Sequence, residues 1–316
     1  MKRALFFVHY NPQNLVSNYI YYMLKELKPF FDKVIFISNS LIDQKQIQEI
    51  YKYANKVIQR PNRGFDFGAW KDALIDFGFS NLVEYDSITL MNDTCFGPFF
   101  SLRKILDKME NLNIDFWGLT KHKETKNGMP GNNGPVHEHI QSYFMTFNRN
   151  VVLSDYFNKF WSNVEYFIDV NKVIQNYETQ FTRYLSQSGF KWDVFIDLKD
   201  INFINNNNLH PNLLTWHPDI LIKLCTPFIK IKSFIIFENP YYLIDLIKKN
   251  YNYPIELIYD YFNDVYVSNI SFKIQNKNII VRNNISKIKP YFKIALHYHA
   301  FYIEITKEFL FLIKNY

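Results

Sequence analysis

The densest run of chemically capable residues is Arg60-Pro61-Asn62-Arg63-Gly64-Phe65-Asp66-Phe67-Gly68-Ala69-Trp70, between a strand predicted over 56–58 and a helix predicted over 68–77. Sheets with helices on their faces bind ligands at the carboxyl ends of their strands. Two guanidiniums and a glycine just ahead of a helix suit a diphosphate, held by bidentate contacts and by the amides of the helix end. Asp66 reads equally well as the N-cap of that helix. For the segment as a whole, two Gly and two Arg beside three aromatics exceed what a plain connection needs.

A second cluster, Asn92-Asp93-Thr94-Cys95-Phe96-Gly97-Pro98, follows an apolar strand predicted over 87–91. A carboxylate at a strand end, flanked by an amide and a hydroxyl, is placed to bind Mg²⁺ or Mn²⁺ bridging two phosphates, because hard cations take oxygen ligands. Turn chemistry alone selects the same residue types. Glu178 stands near the start of a helix predicted over 171–186. There it is a solvated helix residue or a general base for a sugar hydroxyl, whose proton must leave when the oxygen bonds an anomeric carbon. His137, His139, His210 and His217 are each, taken alone, ordinary surface or core histidines.

The elements that must hold these clusters alternate. Strands are predicted over 4–8, 34–37, 56–58, 87–91, 116–119 and 143–147, and helices over 15–27, 43–53, 68–77, 101–109, 151–161 and 171–186. Such an order folds as an α/β domain with a parallel or mixed sheet flanked by helices, Rossmann-like in sequence. No Gly-x-Gly-x-x-Gly follows the first strand, which removes the main support for an NAD or FAD enzyme. Residues 121–137 are rich in Gly, Pro and Asn without periodicity and read as a long loop, a candidate lid over a bound donor. Beyond the polar stretch 202–208, prolines at 211, 218, 227 and 240 punctuate a segment that reads as helix-poor. The predicted division is a main domain at 1–235 and a small basic, aromatic-rich appendage at 236–316.

Composition narrows the classes further. With 316 residues, 48% of them apolar, the chain can bury a large core without disulfide or metal staples. Cys95 and Cys225 are too few for a disulfide framework and lack zinc-site spacing, so a cytoplasmic, reducing compartment is expected. No apolar run approaches the roughly 20 residues of a membrane span. The whole positive excess, +6, falls in residues 223–316. A basic aromatic tail of that kind suits peripheral contact with an anionic membrane face. Scattered charge and the lack of a recognition module argue against nucleic acid.

Five segments in order carry a family resemblance: Phe7-Val8-His9-Tyr10, Asn62 through Trp70, Asn92 through Pro98, Asp115-Phe116-Trp117-Gly118-Leu119-Thr120, and His139-Ile140-Gln141-Ser142-Tyr143-Phe144. Over residues 1 to about 235 the chain resembles the rhamnan synthesis protein F family. Its members are bacterial glycosyltransferases of polysaccharide and lipopolysaccharide assembly with a type A glycosyltransferase-like fold. Weaker echoes are Tyr177-Glu178 and Pro227-Phe228-Ile229-Lys230. The resemblance implies transfer of a sugar, rhamnose by the family's name, from a nucleotide-sugar to a lipid-linked or polymeric glycan, with inversion if Glu178 is the base. It implies that His9, Tyr10, Asn62, Arg63, Gly64, Asp66, Asn92 and Asp93 hold the donor. Trp117, His139 and Gln141 fall on the acceptor or lid side, and Asp93 stands where such folds place a metal motif. One carboxylate is present there instead of two, so the donor's phosphates must supply most of the attraction for Mn²⁺ or Mg²⁺, with His210 or His217 as a further ligand. The other reading is a non-catalytic nucleotide- or glycan-binding subunit. Leu296-His297-Tyr298-His299-Ala300-Phe301-Tyr302 looks like the start of a further domain found in longer members.

Overall fold

The computed structural model describes residues 1–126, 134–197 and 209–265. Its strands are β1 (Arg3–His9), β2 (Lys33–Ser38), β3 (Lys56–Gln59), β4 (Ser87–Asn92), β5 (Cys95–Phe96), β6 (Phe116–Gly118), β7 (Lys121–His122), β8 (His139–Ile140), β9 (Phe144–Asn148), β10 (Trp192–Val194) and β11 (Ile229–Lys230). The helices are α1 (Asn18–Leu27), α2 (Gln44–Ile50), α3 (Phe65–Phe77), α4 (Arg103–Glu110), α5 (Arg149–Val152), α6 (Asp155–Ser162), α7 (Val170–Val173), α8 (Thr179–Gln187), α9 (Leu213–Trp216), α10 (Pro218–Lys223), α11 (Ile231–Ile236), α12 (Pro240–Asn250) and α13 (Glu256–Val265).

Every residue of β1 after Arg3 is buried, as a strand covered by helices on both faces must be. Leu5 and Phe7 join one apolar cluster, while Ala4, Phe6 and Val8 join the other. Helices α1, α2, α4 and α9 to α13 fill the first cluster, and α3 and α5 to α8 fill the second. The main sheet runs β10-β6-β9-β4-β1-β2-β3. All neighbours are parallel except β9, which is antiparallel to β4 and to β6. This is the mixed, helix-flanked α/β sheet that the sequence predicts. From β1 the chain builds outward through β2 and β3, then returns to β4 on the other side of β1. The loops above β1 and β4 therefore part and leave a crevice, the usual ligand position in such sheets.

Elsewhere local chemistry overrides the sequence pattern. The single helix expected over 151–161 is two, because the Ser154 side chain accepts from the Phe157 N–H and starts α6 afresh. The helix expected over 171–186 is interrupted by a π-helical turn, Ile174–Glu178, between α7 and α8, and the Thr179 hydroxyl donates to the Gln175 carbonyl there at 3.0 Å. Asp66 is not an N-cap: Gly64 is, at φ +72°, and the helix begins one residue before Asp66. The segment after Pro211, expected to be poor in helix, holds α9 to α13, with Pro218 and Pro240 in the first helical turns where their missing N–H is not needed. The predicted boundary at 235 falls near the end of α11. Both α11 and α12 pack into the same apolar cluster as α1 and α4. The described ends of 121–137 are joined by a Thr125–Val136 bridge, which continues the antiparallel pairing of β7 with β8. Residues 127–133, the polar stretch 202–208 and the 296–302 motif lie outside the described residues.

One close approach fastens the 227–231 segment to the sheet's crevice. Strand β11 pairs antiparallel with β5, setting Lys230 opposite Cys95. The approach depends on Gly97, at φ +131°, where a Cβ would meet the Pro227 carbonyl oxygen at 2.4 Å and the Phe228 ring at 2.7 Å. Gly97→Ala is expected to destabilise the protein by about 1–3 kcal/mol through the clash and the backbone strain. A denaturant midpoint equal to that of the parent would contradict this account of the contact.

Candidate functional site

A cavity of about 590 Å³ opens at the carboxyl ends of β1, β2 and β4. The ends of three strands supply its floor: His9 and Tyr10 at the end of β1, Asn39 after β2, and Asn92 and Asp93 at the end of β4. Asn62, Phe65 and Asp66 reach it from the β3–α3 connection, and Lys230, Ile231 and Lys232 close the far side. Two separate sequence clusters thus share one wall. The joint is a direct bond, the Asn92 Nδ2 amide donating to Asp66 Oδ2 at 2.9 Å.

Asp93 is fixed from two elements. The Tyr10 backbone N–H donates to its Oδ2 at 2.9 Å, and the Tyr19 hydroxyl of α1 donates to its backbone carbonyl at 2.8 Å. Asn92 presents its amide N–H to Asp66 and its Oδ1 to the Thr94 hydroxyl at 2.7 Å. Asp66 Oδ1 also accepts from the Phe67 N–H at 2.9 Å. Phe65, which precedes it, lines the cavity in a left-handed conformation at φ +52°, a strained state for an aromatic residue that clusters at functional sites.

Both carboxyls are poised near neutrality. Burial pushes Asp93 up to about 7, the Tyr10 N–H opposing and the Asp66 charge adding. Burial, then the Glu178 charge, pushes Asp66 up to about 6 against the Asn92 and Phe67 donors and Lys230. Glu178 goes the other way. Burial alone would raise it, but Lys230, His139 and the Ser142 N–H and hydroxyl together hold it below the usual range. Both Ser142 donors, at 3.1 and 2.9 Å, go to Oε1. Glu178 closes the π-helical turn and is not among the cavity's lining residues; it reaches the site through its charge on Asp66.

The remaining expected residues divide. His9 lines the cavity but is spent on structure: its ring bonds the Leu15 carbonyl and Ser38, and burial depresses its pKa to about 4. Tyr10 is 47% exposed at the mouth. Asn62 accepts from Asn39. Arg63 is exposed and Gly64 is buried beneath Tyr166, and neither lines the cavity. Arg60 is an internal brace, its donors shared among Asp72, Asn39 and the Arg63 carbonyl. Trp117 lies in the core against Phe144. Gln141 bridges Thr120 and Asn212, and His139 stacks on His122. His210 and His217 sit together away from the cavity, each with a ring nitrogen accepting a backbone N–H. The structure does not bring them to Asp93, and among the described residues no group of three His, Cys, Asp or Glu side chains forms a metal cage. What the wall does offer a hard divalent cation is oxygen: Asp93, with Asp66 beside it, in a pocket where two adjacent carboxylates resist ionising together. That donor set fits Mg²⁺ or Mn²⁺ brought in with phosphate oxygens.

Sequence reasoning missed Lys230 as a site residue. Its only signal was the short Pro227-Phe228-Ile229-Lys230 echo, and nothing local reveals that this dipeptide strand pairs with β5.

The family described as rhamnan synthesis protein F matches residues 34–316. The chain belongs to that family. A relative from Sinorhizobium fredii (strain NBRC 101917 / NGR234), described as uncharacterized protein y4gN, is 25% identical over 181 residues, 57% of this chain and 45% of its own. The chain thus spans about half the length of that curated relative. Weak structural likenesses include a cytidylyltransferase from Leptospira borgpetersenii, with TM-score 0.36 and 15% identity over 63% of this chain and 77% of that one. Mouse xyloside xylosyltransferase 1 gives 0.34 and 10% over 61% and 85%. Core-mannan synthase A from Aspergillus fumigatus, a Mn/GDP form, gives 0.30 and 9% over 50% and 63%. No helix of the described residues is long and apolar enough to cross a membrane.

The raised Asp93 carboxyl has a cost in stability. Its folded value lies above the 3.8 of an ordinary aspartate, so the native state loses stability as the pH climbs from about 4 through about 7. Asp93→Asn, in chelator and without ligand, is expected to raise stability at pH 8 by about 1–3 kcal/mol, with the gain vanishing near pH 4. Melting temperatures across that range decide it. A gain independent of pH, or a loss at pH 8, would contradict the burial account.

Proposed function

We propose that this protein is a glycosyltransferase that moves a sugar from a nucleotide-sugar to a hydroxyl of a bacterial surface glycan. The observation that carries the reading is the shared wall of Asp66, Asn92 and Asp93 at the carboxyl ends of β1 and β4, faced by Lys230 across one cavity. The family's description supports polysaccharide synthesis, with rhamnose as the sugar.

In this reading Tyr10, half out of the cavity mouth, stacks on the nucleobase, and Asn62 and Asn39 hold the ribose side. Asp93 would hold Mg²⁺ or Mn²⁺, whose contribution when bound is to neutralise phosphate charge. The acceptor hydroxyl attacks the anomeric carbon from the face opposite the diphosphate. A new C–O bond forms as the bond to the phosphate oxygen breaks, that oxygen keeps the electron pair, and the anomeric centre inverts. Positioning and electrostatics supply the rate. Glu178, held ionised by Lys230, His139 and Ser142, receives the hydroxyl proton on Oε2, since Oε1 is taken by both Ser142 donors. A second proton acceptor is favoured by a specific observation: Asp66 lines the cavity, Glu178 does not, and Asp66 is tuned to about 6, closer to working pH. The acceptor glycan is lipid-linked, and the protein works at the inner membrane face. Its two free cysteines, one exposed, support a reducing compartment.

The test is a thermal-shift panel of nucleoside diphosphates with EDTA or Mn²⁺, followed by turnover of the matching nucleotide-sugar. A ligand bound by the folded state alone raises the melting temperature. One diphosphate is expected to do so, more strongly with Mn²⁺. Glu178→Gln is expected to keep that shift and lose at least about 100-fold in turnover, the usual size of a general-base contribution. Full turnover in Glu178→Gln with loss in Asp66→Asn would move the base to Asp66. Binding without turnover of any nucleotide-sugar by the parent protein would leave a non-catalytic binding subunit.

A further inference from the structure

The cavity's cation is placed with more care than a surface lysine needs. Lys230 is the second residue of β11, whose register against β5 sets it opposite Cys95, two residues beyond Asp93. The next N–H, that of Ile231, donates to the Thr94 carbonyl at 2.9 Å. Gly97 lets this segment close on the β5 turn, as described above. The backbone around Lys230 is thus locked to the loop that carries Asp93.

Its side chain is left without such a tie. Lys230 is half-buried and lines the cavity, yet among the described residues its ammonium makes no hydrogen bond or ion pair. Lys121 shows what a lysine in a protein wall ordinarily does here, bridging Glu138 at 2.9 Å and Asp197 at 2.6 Å. The Lys230 charge is nevertheless felt by Asp66, Glu178 and Cys95. A partly desolvated ammonium, unpaired and carried on a locked backbone, is a site awaiting an anion. Asp66 and Glu178 are already held by their own donors, and Lys230 and Asp66 line the same cavity.

We propose that Lys230 binds the donor's diphosphate and neutralises the charge that gathers on it as the bond to the sugar breaks. The assignment rests on the glycosyltransferase reading above. No proton leaves Lys230 in the step: the electron pair of the breaking C–O bond stays on the phosphate oxygen, and the ammonium stabilises it as a preorganised charge. Lys232, exposed at the cavity mouth, is too open to carry the same weight.

The experiment measures affinities of the full chain for UDP, GDP, CDP and dTDP, for the matching nucleosides and for inorganic pyrophosphate, by calorimetry. Lys230→Met keeps the aliphatic stem, and Lys230→Gln serves if the Met variant melts lower than the parent. The neutral variants are expected to bind the preferred diphosphate and pyrophosphate about 10- to 100-fold more weakly, as losing a charged hydrogen-bond donor does. The nucleoside is expected to bind unchanged, and Lys230→Arg to recover most of the loss. A readout that packing would not move is the pH profile. Without the lysine charge the Glu178 carboxyl rises, so the acidic limb of turnover shifts to higher pH in Lys230→Met and stays in place in Lys230→Arg. Equal diphosphate affinity in parent and Lys230→Met overturns the assignment alone, as does an equal loss for nucleoside and diphosphate. A parent protein that binds none of the nucleotides overturns the glycosyltransferase reading and this assignment with it.

Discussion

Much of the site hangs on one hydrogen bond, from the Tyr10 backbone N–H to the Asp93 carboxylate. It ties the end of β1 to the turn after β4, the two strands between which the sheet's connections part. Because the donor is backbone, its position is set by the β1–β4 register, and that register is set by the apolar residues of both strands. Asp93 in turn anchors α1 through the Tyr19 hydroxyl on its carbonyl, and Thr94 next to it anchors Ile231. The cavity's floor, one side and its cation therefore share a single joint, and a shift of β4 would disturb all three.

The strands were legible because their signal is local. Runs such as Phe6-Phe7-Val8 and Val34-Ile35-Phe36-Ile37 are apolar on both faces, which a covered parallel strand requires and little else tolerates. Helix breaks were less legible, since Ser154 and the π-helical turn at Ile174–Glu178 interrupt patterns whose periodicity continues through them. The clusters at 62–66 and 92–94 could be found by residue type. Their union through Asn92 and Asp66 could not, because it depends on the crossing order of strands. Lys230 was hidden for the same reason: a two-residue strand becomes meaningful only when its partner is known. Arg60 shows the converse. Its type suggested a phosphate ligand, but Asp72, Asn39 and the Arg63 carbonyl consume its donors, which spacing along the chain cannot reveal.

Electrostatically the site is unsettled without a ligand. Two carboxyls stand well above their ordinary values, a third is held ionised, and one ammonium has charge but no hydrogen-bonded partner among the described residues. Such an arrangement is unfavourable by itself, and on the proposed reading a polyanion bound with its cation offsets it. Stability is spent where binding is to be gained, the usual relation between active sites and the folds that carry them.

On the proposed reading a nucleoside diphosphate occupies the crevice between the ends of β1 and β4. Hydrogen–deuterium exchange with and without the nucleoside diphosphate that raises the melting temperature most tests it directly. Added ligand should slow exchange in residues 9–11, 62–66, 92–94 and 229–232 together, while α4, whose Glu110 pairs with Arg3 at the opposite end of β1, stays unchanged. Protection confined to other segments, or none at a concentration that saturates the thermal shift, would contradict the placement of the site.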